Sequence, residues 1–219
     1  MTSALVDGDV VRSDAMGERA RTGLVLIDAG GANLGSVRFA FERLGIRPRV
    51  VRDADGLAGA ERIVLPGVGA AAPAMEALRA RGLDIALRTT RLPLLGICLG
   101  MQLLYASSEE GGVDCLGMLP GRVRRMPPGP GIRIPHMGWN ALRHAGGNTL
   151  LDGASDGDKA YFVHAFCAPV DADTLATTTH GTTFAAVVRH GNCVGMQFHP
   201  ERSSTLGATL LRNFLAWTP

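Results

Sequence analysis

Short unbroken apolar runs separated by mixed stretches set the rhythm of the first half of the chain. Leu24-Val25-Leu26-Ile27 is apolar at every position, as in a central parallel strand covered on both faces; a half-exposed strand would alternate. It leads into Asp28-Ala29-Gly30-Gly31-Ala32, a loop, and Asn33 stands where a helix N-cap is expected. Val37, Phe39, Ala40, Phe41 and Leu44 follow at helical spacing, and Gly45 closes that helix. Strands are predicted at Arg49-Val50-Val51 and at Ile63-Val64-Leu65, the latter followed by Pro66-Gly67-Val68-Gly69. A helix is predicted at Ala70 to Ala80, a second before Pro93, and the run Leu92-Pro93-Leu94-Leu95 supplies another strand. Strand and helix alternating over short loops imply parallel pairing through right-handed crossovers. The fold class is therefore α/β, a doubly wound, mostly parallel central sheet with helices on both faces.

Beyond Gly112 the texture changes. Short apolar pieces at Met118-Leu119, Arg122 to Met126, Tyr161-Phe162-Val163, Phe184 to Val188 and Val194 to Gln197 alternate with Gly and Pro turns. That pattern predicts a mixed or antiparallel extension of the same sheet. A last helix, Leu206 to Trp217, carries Leu206, Leu210, Leu211, Phe214 and Leu215 at helical spacing. Met1 to Thr22 mixes acids and arginines with little periodic apolar content, so residues 1–22 are expected to be a disordered or weakly ordered extension and residues 23–219 the folded domain.

Composition narrows the function. With 219 residues and 46% hydrophobic content, one substantial core is expected. A net charge of +2 argues against a general nucleic-acid surface, and the basic cluster Arg122, Arg124, Arg125 has no interleaved aromatics, which suits a solvated or partner-facing loop. The four cysteines show neither CxxC spacing nor a disulfide framework, so no metal is expected. No apolar run approaches a signal peptide or membrane span, and the expected location is the cytoplasm, with reduced thiols.

The chemistry concentrates at Gly96-Ile97-Cys98-Leu99-Gly100, between an apolar strand run and the helix formers Met101-Gln102-Leu103-Leu104. Strand, tight turn and helix with a cysteine at the apex is the pattern of a nucleophile elbow, where the helix N-terminus favours a thiolate. Near the other end stands Gln197-Phe198-His199-Pro200-Glu201. If the chain is still extended there, the period of two puts His199 and Glu201 on one side, and proline places them at a strand end. A thiol nucleophile needs a base and the base an orienting acid; Cys98, His199 and Glu201 supply one residue for each role. Alone, Cys98 reads as readily as a small core residue, His199 as a structural histidine, Glu201 as a solvated acid and the Pro66–Gly69 loop as a plain turn. Their joint placement at the carboxyl ends of strands favours catalysis, with the loop as an oxyanion hole.

Gly96 to Gln102 with Gln197 to Glu201 resembles the class I (triad) glutamine amidotransferases, flavodoxin-like in fold. Pro66-Gly67-Val68-Gly69, Pro135-His136-Met137-Gly138-Trp139-Asn140 and Tyr161-Phe162-Val163-His164 are similar to the glutaminase subunits of imidazole glycerol phosphate synthases, in histidine biosynthesis. The resemblance implies that Cys98 attacks the side-chain amide of glutamine, that His199 protonates the departing ammonia and that Glu201 orients His199. It implies substrate and oxyanion contacts from Val68, Gly69, Leu99 and Gln102. It further implies a heterodimer with a (β/α)8 cyclase subunit that receives the ammonia, no cofactor, and an interface of Asn33, Pro135, His136, Met137, Gly138, Trp139, Asn140, Tyr161 and Arg202.

Several positions depart from that family's pattern: Ala29 and Ala32 stand for tyrosine and glycine, Ala70-Ala71-Ala72 for bulkier residues, Ala165 for serine or threonine, and Arg202 for lysine. An alanine at a positive-φ position would carry strain of about 1 kcal/mol. A paralogous glutaminase feeding another synthase, a cysteine hydrolase of the related superfamily, and a scaffold that no longer catalyses are the alternative readings.

Overall fold

The computed structural model describes residues 23–30 and 33–219. The extension expected over residues 1–22, and the strain expected at Ala32, lie outside the described residues. In chain order the first half comprises β1 (Leu24–Ile27), α1 (Leu34–Arg43), β2 (Arg49–Val51), β3 (Arg62–Gly67), α2 (Ala71–Ala80), α3 (Leu83–Thr89), β4 (Leu94–Cys98) and α4 (Leu99–Leu104). The second half comprises β5 (Tyr105–Ser108), β6 (Val113–Asp114), β7 (Leu119–Arg125), β8 (His136–Ala141), β9 (Lys159–His164), β10 (Phe166–Cys167), β11 (Thr174–His180), β12 (Thr182–His190), β13 (Cys193–Met196) and α5 (Ser204–Ala216).

The main sheet has seven strands in the order β11-β12-β13-β4-β3-β1-β2. The five from β13 to β2 are parallel and β12 and β11 extend it antiparallel. Because successive side chains point to opposite faces, the all-apolar strands feed two cores. Leu24, Leu26, Val64, Leu95 and Ile97 pack with Val37 and Phe41 of α1 and with Leu210 and Phe214 of α5. Val25, Ile27, Ile63, Leu65 and Leu94 pack on the other face with Met75 and Leu78 of α2, Leu83 and Leu87 of α3, and Met101 of α4.

One expectation for the second half needs correcting. Only β11, β12 and β13 join the main sheet; β10, β7, β5 and β6 form a separate four-stranded sheet, and β8 with β9 a two-stranded ribbon. The reason is local: β5 leaves directly from the end of α4, above the sheet, and β7 pairs with it there. The arginine cluster lies on β7, so the strand piece expected from Arg122 forms and the loop expected for the same arginines does not; Arg122 is 3.9 Å from Glu109.

Beneath the elbow the packing tolerates no side chain. A Cβ added at Gly100 would sit 1.8 Å from the Leu65 carbonyl oxygen, and one at Gly96 would meet the Gly100 oxygen and the Met101 backbone at 2.7 Å. Close approach of helix to strands, rather than a positive φ, is therefore what these glycines provide. Gly100→Ala is expected to destabilise the fold by about 3 kcal/mol through overpacking. In a domain of this size that lowers Tm by about 10 °C in a calorimetric scan; an unchanged Tm would show that α4 separates from β3 at little cost.

Candidate functional site

β4 ends and α4 begins at Cys98, which adopts φ 54° and ψ −112°. A non-glycine residue so placed carries about 1–3 kcal/mol of strain, retained only where the surroundings over-determine it. The surroundings here are β3, β4 and α4 packed without intervening side chains. The Cys98 side chain is nearly buried, its sulfur 3.8 Å from the Val163 carbonyl and 3.9 Å from the Gln197 amide nitrogen.

His199 reaches the same place from the end of β13. The extended geometry expected between His199 and Glu201 is not what forms: Pro200 opens a 3-10 turn, Pro200–Arg202. Proline supplies the fixed φ for such a first position and gives up no bonded N–H. The turn brings the Glu201 carboxylate back under the imidazole, Nδ1 to Oε1 at 2.8 Å, with both side chains almost wholly buried. Asn33 Nδ2 donates to the same carboxylate oxygen at 2.6 Å. Asn33 stands at the N-cap position as expected, its carbonyl accepting from Val37 N at 3.3 Å, but its backbone is left-handed at φ 80° and its side chain makes no capping bond, because the amide is turned toward Glu201.

The electrostatics follow from these contacts. Burial disfavours a charged His199, but hydrogen bonding to Cys98 and Glu201 and their negative charges outweigh it, and its pKa is raised to about 10. Nε2 is buried without a hydrogen bond of normal length among the described residues. The raising influence of Cys98 on this ring is thus one of proximity and charge, without a hydrogen bond of ordinary geometry at Nε2. Glu201 is pushed upward by burial and downward by His199 and Asn33, and the lowering prevails.

Cys98 and His199 line a cavity of about 160 Å³ with Val68, Gly69, Leu99, Gln102, Glu110, Val163, His164, Ala165 and Phe166. That is small beside the roughly 300–1,000 Å³ of drug-sized ligand pockets and suits a single amino acid. Gln102 is present as expected, though its amide nitrogen is held by the Phe166 carbonyl at 2.8 Å and Gln197 Oε1 at 2.9 Å, so it braces the wall. Glu110 was missed by sequence reasoning, for it sits in an unremarkable acidic pair. It accepts from Ala71 N at 2.9 Å, and burial raises its pKa. A second cavity of about 360 Å³ lies behind the Val68–Gly69 loop, lined in part by Ala29 and Ala70, two positions where the chain is smaller than the resemblance implies.

The expected interface residues divide. Met137 and Trp139 are well exposed at 64% and 52%, and Trp139 and Arg202 flank the Tyr161 ring at 6.0 and 5.9 Å. His136, by contrast, is buried at 3%. Strand alternation on β8 explains the correction: odd-numbered residues face out and His136 faces in. Among the described residues no cluster of metal-ligating side chains is present, and no helix is long and apolar enough to cross a membrane.

The family model "Glutamine amidotransferase class-I" matches residues 25–217. The chain is similar to the imidazole glycerol phosphate synthase subunit HisH of Xanthomonas campestris, 63% identical over 194 residues covering 89% of this chain and 97% of that one. It is also similar to the HisH subunit of Xylella fastidiosa, 56% identical over the same shares. Among solved structures, a glutamine amidotransferase crystal structure superposes with TM-score 0.69 at 24% identity, over 88% of this chain and 97% of that chain. PurLQS from Thermotoga maritima superposes with TM-score 0.65 at 20% identity, over 88% and 97%. These two likenesses concern the fold.

Proposed function

Since the chain belongs to the class I glutamine amidotransferase family, we propose that Cys98, His199 and Glu201 hydrolyse glutamine bound in the adjoining cavity. The chain serves as the glutaminase subunit of imidazole glycerol phosphate synthase in histidine biosynthesis, and its partner is the cyclase of that synthase. The observation that carries the assignment of residues is the buried His199–Glu201 pair opening on the same cavity as the strained Cys98.

The Cys98 thiolate attacks the carboxamide carbon of glutamine. The resulting oxyanion is met by N–H groups of Leu99, in the first helical turn where such groups have no intrahelical partner, and of the Val68–Gly69 loop. His199 gives its Nε2 proton to the amide nitrogen, which leaves as ammonia, and a thioester remains. Water then attacks the thioester, His199 takes a proton from it, and the thiolate departs as glutamate forms. Glu110, the acid lining the cavity, is placed to receive the substrate ammonium group. Exposed Met137, Trp139 and Arg202 and the half-buried Tyr161, with Asn33 and the neighbouring Pro135, Gly138 and Asn140, form the side toward the cyclase. The reading places the protein in the cytoplasm.

The test is glutamate release by the chain with and without its cyclase partner. Low activity alone and strong stimulation by the liganded partner are expected. Full activity in isolation would overturn the dependence on the partner, and preferential cleavage of simple esters or peptides over glutamine would favour the cysteine hydrolase reading.

A further inference from the structure

Along the β8–β9 ribbon lies a run of polar side chains, the buried His136 and His164 and the half-buried Asn140, that Cys98, His199 and Glu201 do not use. His164 lines the cavity, and its Nδ1 lies 2.8 Å from the Phe166 carbonyl. A carbonyl only accepts, so Nδ1 carries the hydrogen, and in a neutral ring Nε2 is then an acceptor. Nε2 lies 3.1 Å from His136 Nδ1, which must therefore donate. His136 Nε2 is left as an acceptor and faces Asn140 Nδ2 at 3.2 Å, while the same amide nitrogen lies 2.9 Å from the Thr179 carbonyl. Asn140 Oδ1 accepts from Ala141 N at 2.8 Å, which fixes the orientation of the amide. Every donor in the run meets an acceptor, and all the bonds point one way, from Asn140 through both rings to Phe166.

An added proton on either ring would set a donor against a donor. Burial favours the same neutral state, pushing His164 down to about 3 and His136 to about 4. The rings are held in place by stacking: His136 lies flat on His180 at 4.2 Å and on Phe162 at 4.9 Å. The run ends on the wall nearest the nucleophile, where Val163 O is 3.8 Å from the Cys98 sulfur and Phe166 O also accepts from Gln102. It begins on β8, the strand that presents Met137 and Trp139 outward.

We propose that Asn140, His136 and His164 are positioning residues for glutamine hydrolysis, a one-way hydrogen-bond chain that locks residues 163–166, one wall of the substrate cavity, to the outward-facing strand β8. The proposal rests on the reading that this cavity takes glutamine. It gives His136 and Asn140, two polar residues on the side of β8 opposite Met137 and Trp139, a role that an interface alone does not require.

The experiment uses the full chain in complex with its cyclase partner, with 15N-labelled histidine. In the wild type both rings are expected as neutral Nδ1–H tautomers from pH 6 to 9. Asn140→Asp replaces the donor with an acceptor, which forces a proton onto His136 Nε2; the tautomer signal changes and KM for glutamine rises about tenfold, with kcat altered far less. His136→Gln retains one donor and one acceptor and is expected to keep KM near wild type, whereas His136→Leu fills the space without either and raises KM like Asn140→Asp. An Nε2–H tautomer at either ring of the wild type, or a Leu variant with unchanged KM, or a Gln variant as impaired as Leu, overturns the proposal. Should Asn140→Asp not fold, the wild-type tautomers and the Gln and Leu pair still decide. Absence of any glutamine hydrolysis in the wild-type complex would instead sink the reading of the cavity, and the tautomers would remain as an independent measurement.

Discussion

Replacing Cys98 by alanine is expected to lower partner-stimulated glutamine hydrolysis by about 10⁵-fold while leaving glutamine binding within a few-fold of wild type. The size follows from what the sulfur does. A nucleophile acting with its base as one unit takes most of the catalysis with it when removed, and the remnant comes from the oxyanion donors and substrate positioning. Alanine tolerates the left-handed backbone at this position about as well as cysteine, and the lost sulfur is small, so the fold is expected to persist. Two measurements check this: single-turnover glutamate release by the complex, and calorimetric titration of the variant with glutamine. Activity within a hundredfold of wild type would exclude a cysteinyl thioester, whereas loss of binding together with activity would place Cys98 in the structure of the cavity rather than in the chemistry.

The core strands were legible because a strand covered on both faces leaves an unbroken apolar run. Leu24–Ile27 and Ile63–Leu65 needed no context to be recognised, and their alternating contributions to two cores are the physical form of that pattern. The second half was less legible. Strand pieces such as those at β7 and β9 look alike whether they extend the main sheet or leave it, since the periodicity of two records which face is buried and not which neighbour is bonded. What decided the matter was where the chain leaves α4, which strand periodicity does not record.

That Cys98, His199 and Glu201 come together was legible from residue types and spacing, but not the way in which the last two meet. His199 and Glu201 meet through a turn begun by Pro200, which a period-two argument does not describe. From the residues alone Asn33 was visible as a local signal, a helix-capping residue type at the right place, and through the resemblance only as an interface residue. Its actual bond spans 168 positions, to Glu201, and no local pattern carries that information. The same limit hid Glu110, and it placed His136 on the surface with its neighbours in a motif whose residues face opposite ways.

Glu201→Gln is expected to reduce kcat by about 10²- to 10⁴-fold and to move the alkaline limb of the pH profile downward. In the wild type Glu201 helps raise His199 from the ordinary imidazole value of 6.5 to about 10. The proton that must reach the leaving nitrogen is thus retained up to strongly alkaline pH, and activity falls as pH rises through that value. The same raised value means that the charged His199 stabilises the fold fully below about 6.5 and that this contribution is lost as pH rises through about 10; Glu201, lowered, contributes above its ordinary range and less as pH falls below it. Removing the carboxylate charge leaves burial, the largest influence on His199, opposed by Cys98 alone, so the limb should shift to lower pH by about 1–3 pH units. Asn33→Ala is the control, because it leaves the Glu201 charge and the 2.8 Å bond to His199 in place. Its loss should stay near tenfold, with the limb little moved. The check is kcat/KM for glutamine against pH in the three complexes, alongside an NMR titration of the His199 ring. A Gln variant whose alkaline limb coincides with wild type would mean that Glu201 holds the imidazole in place without setting its charge, and the drop in kcat would then have to come from orientation alone.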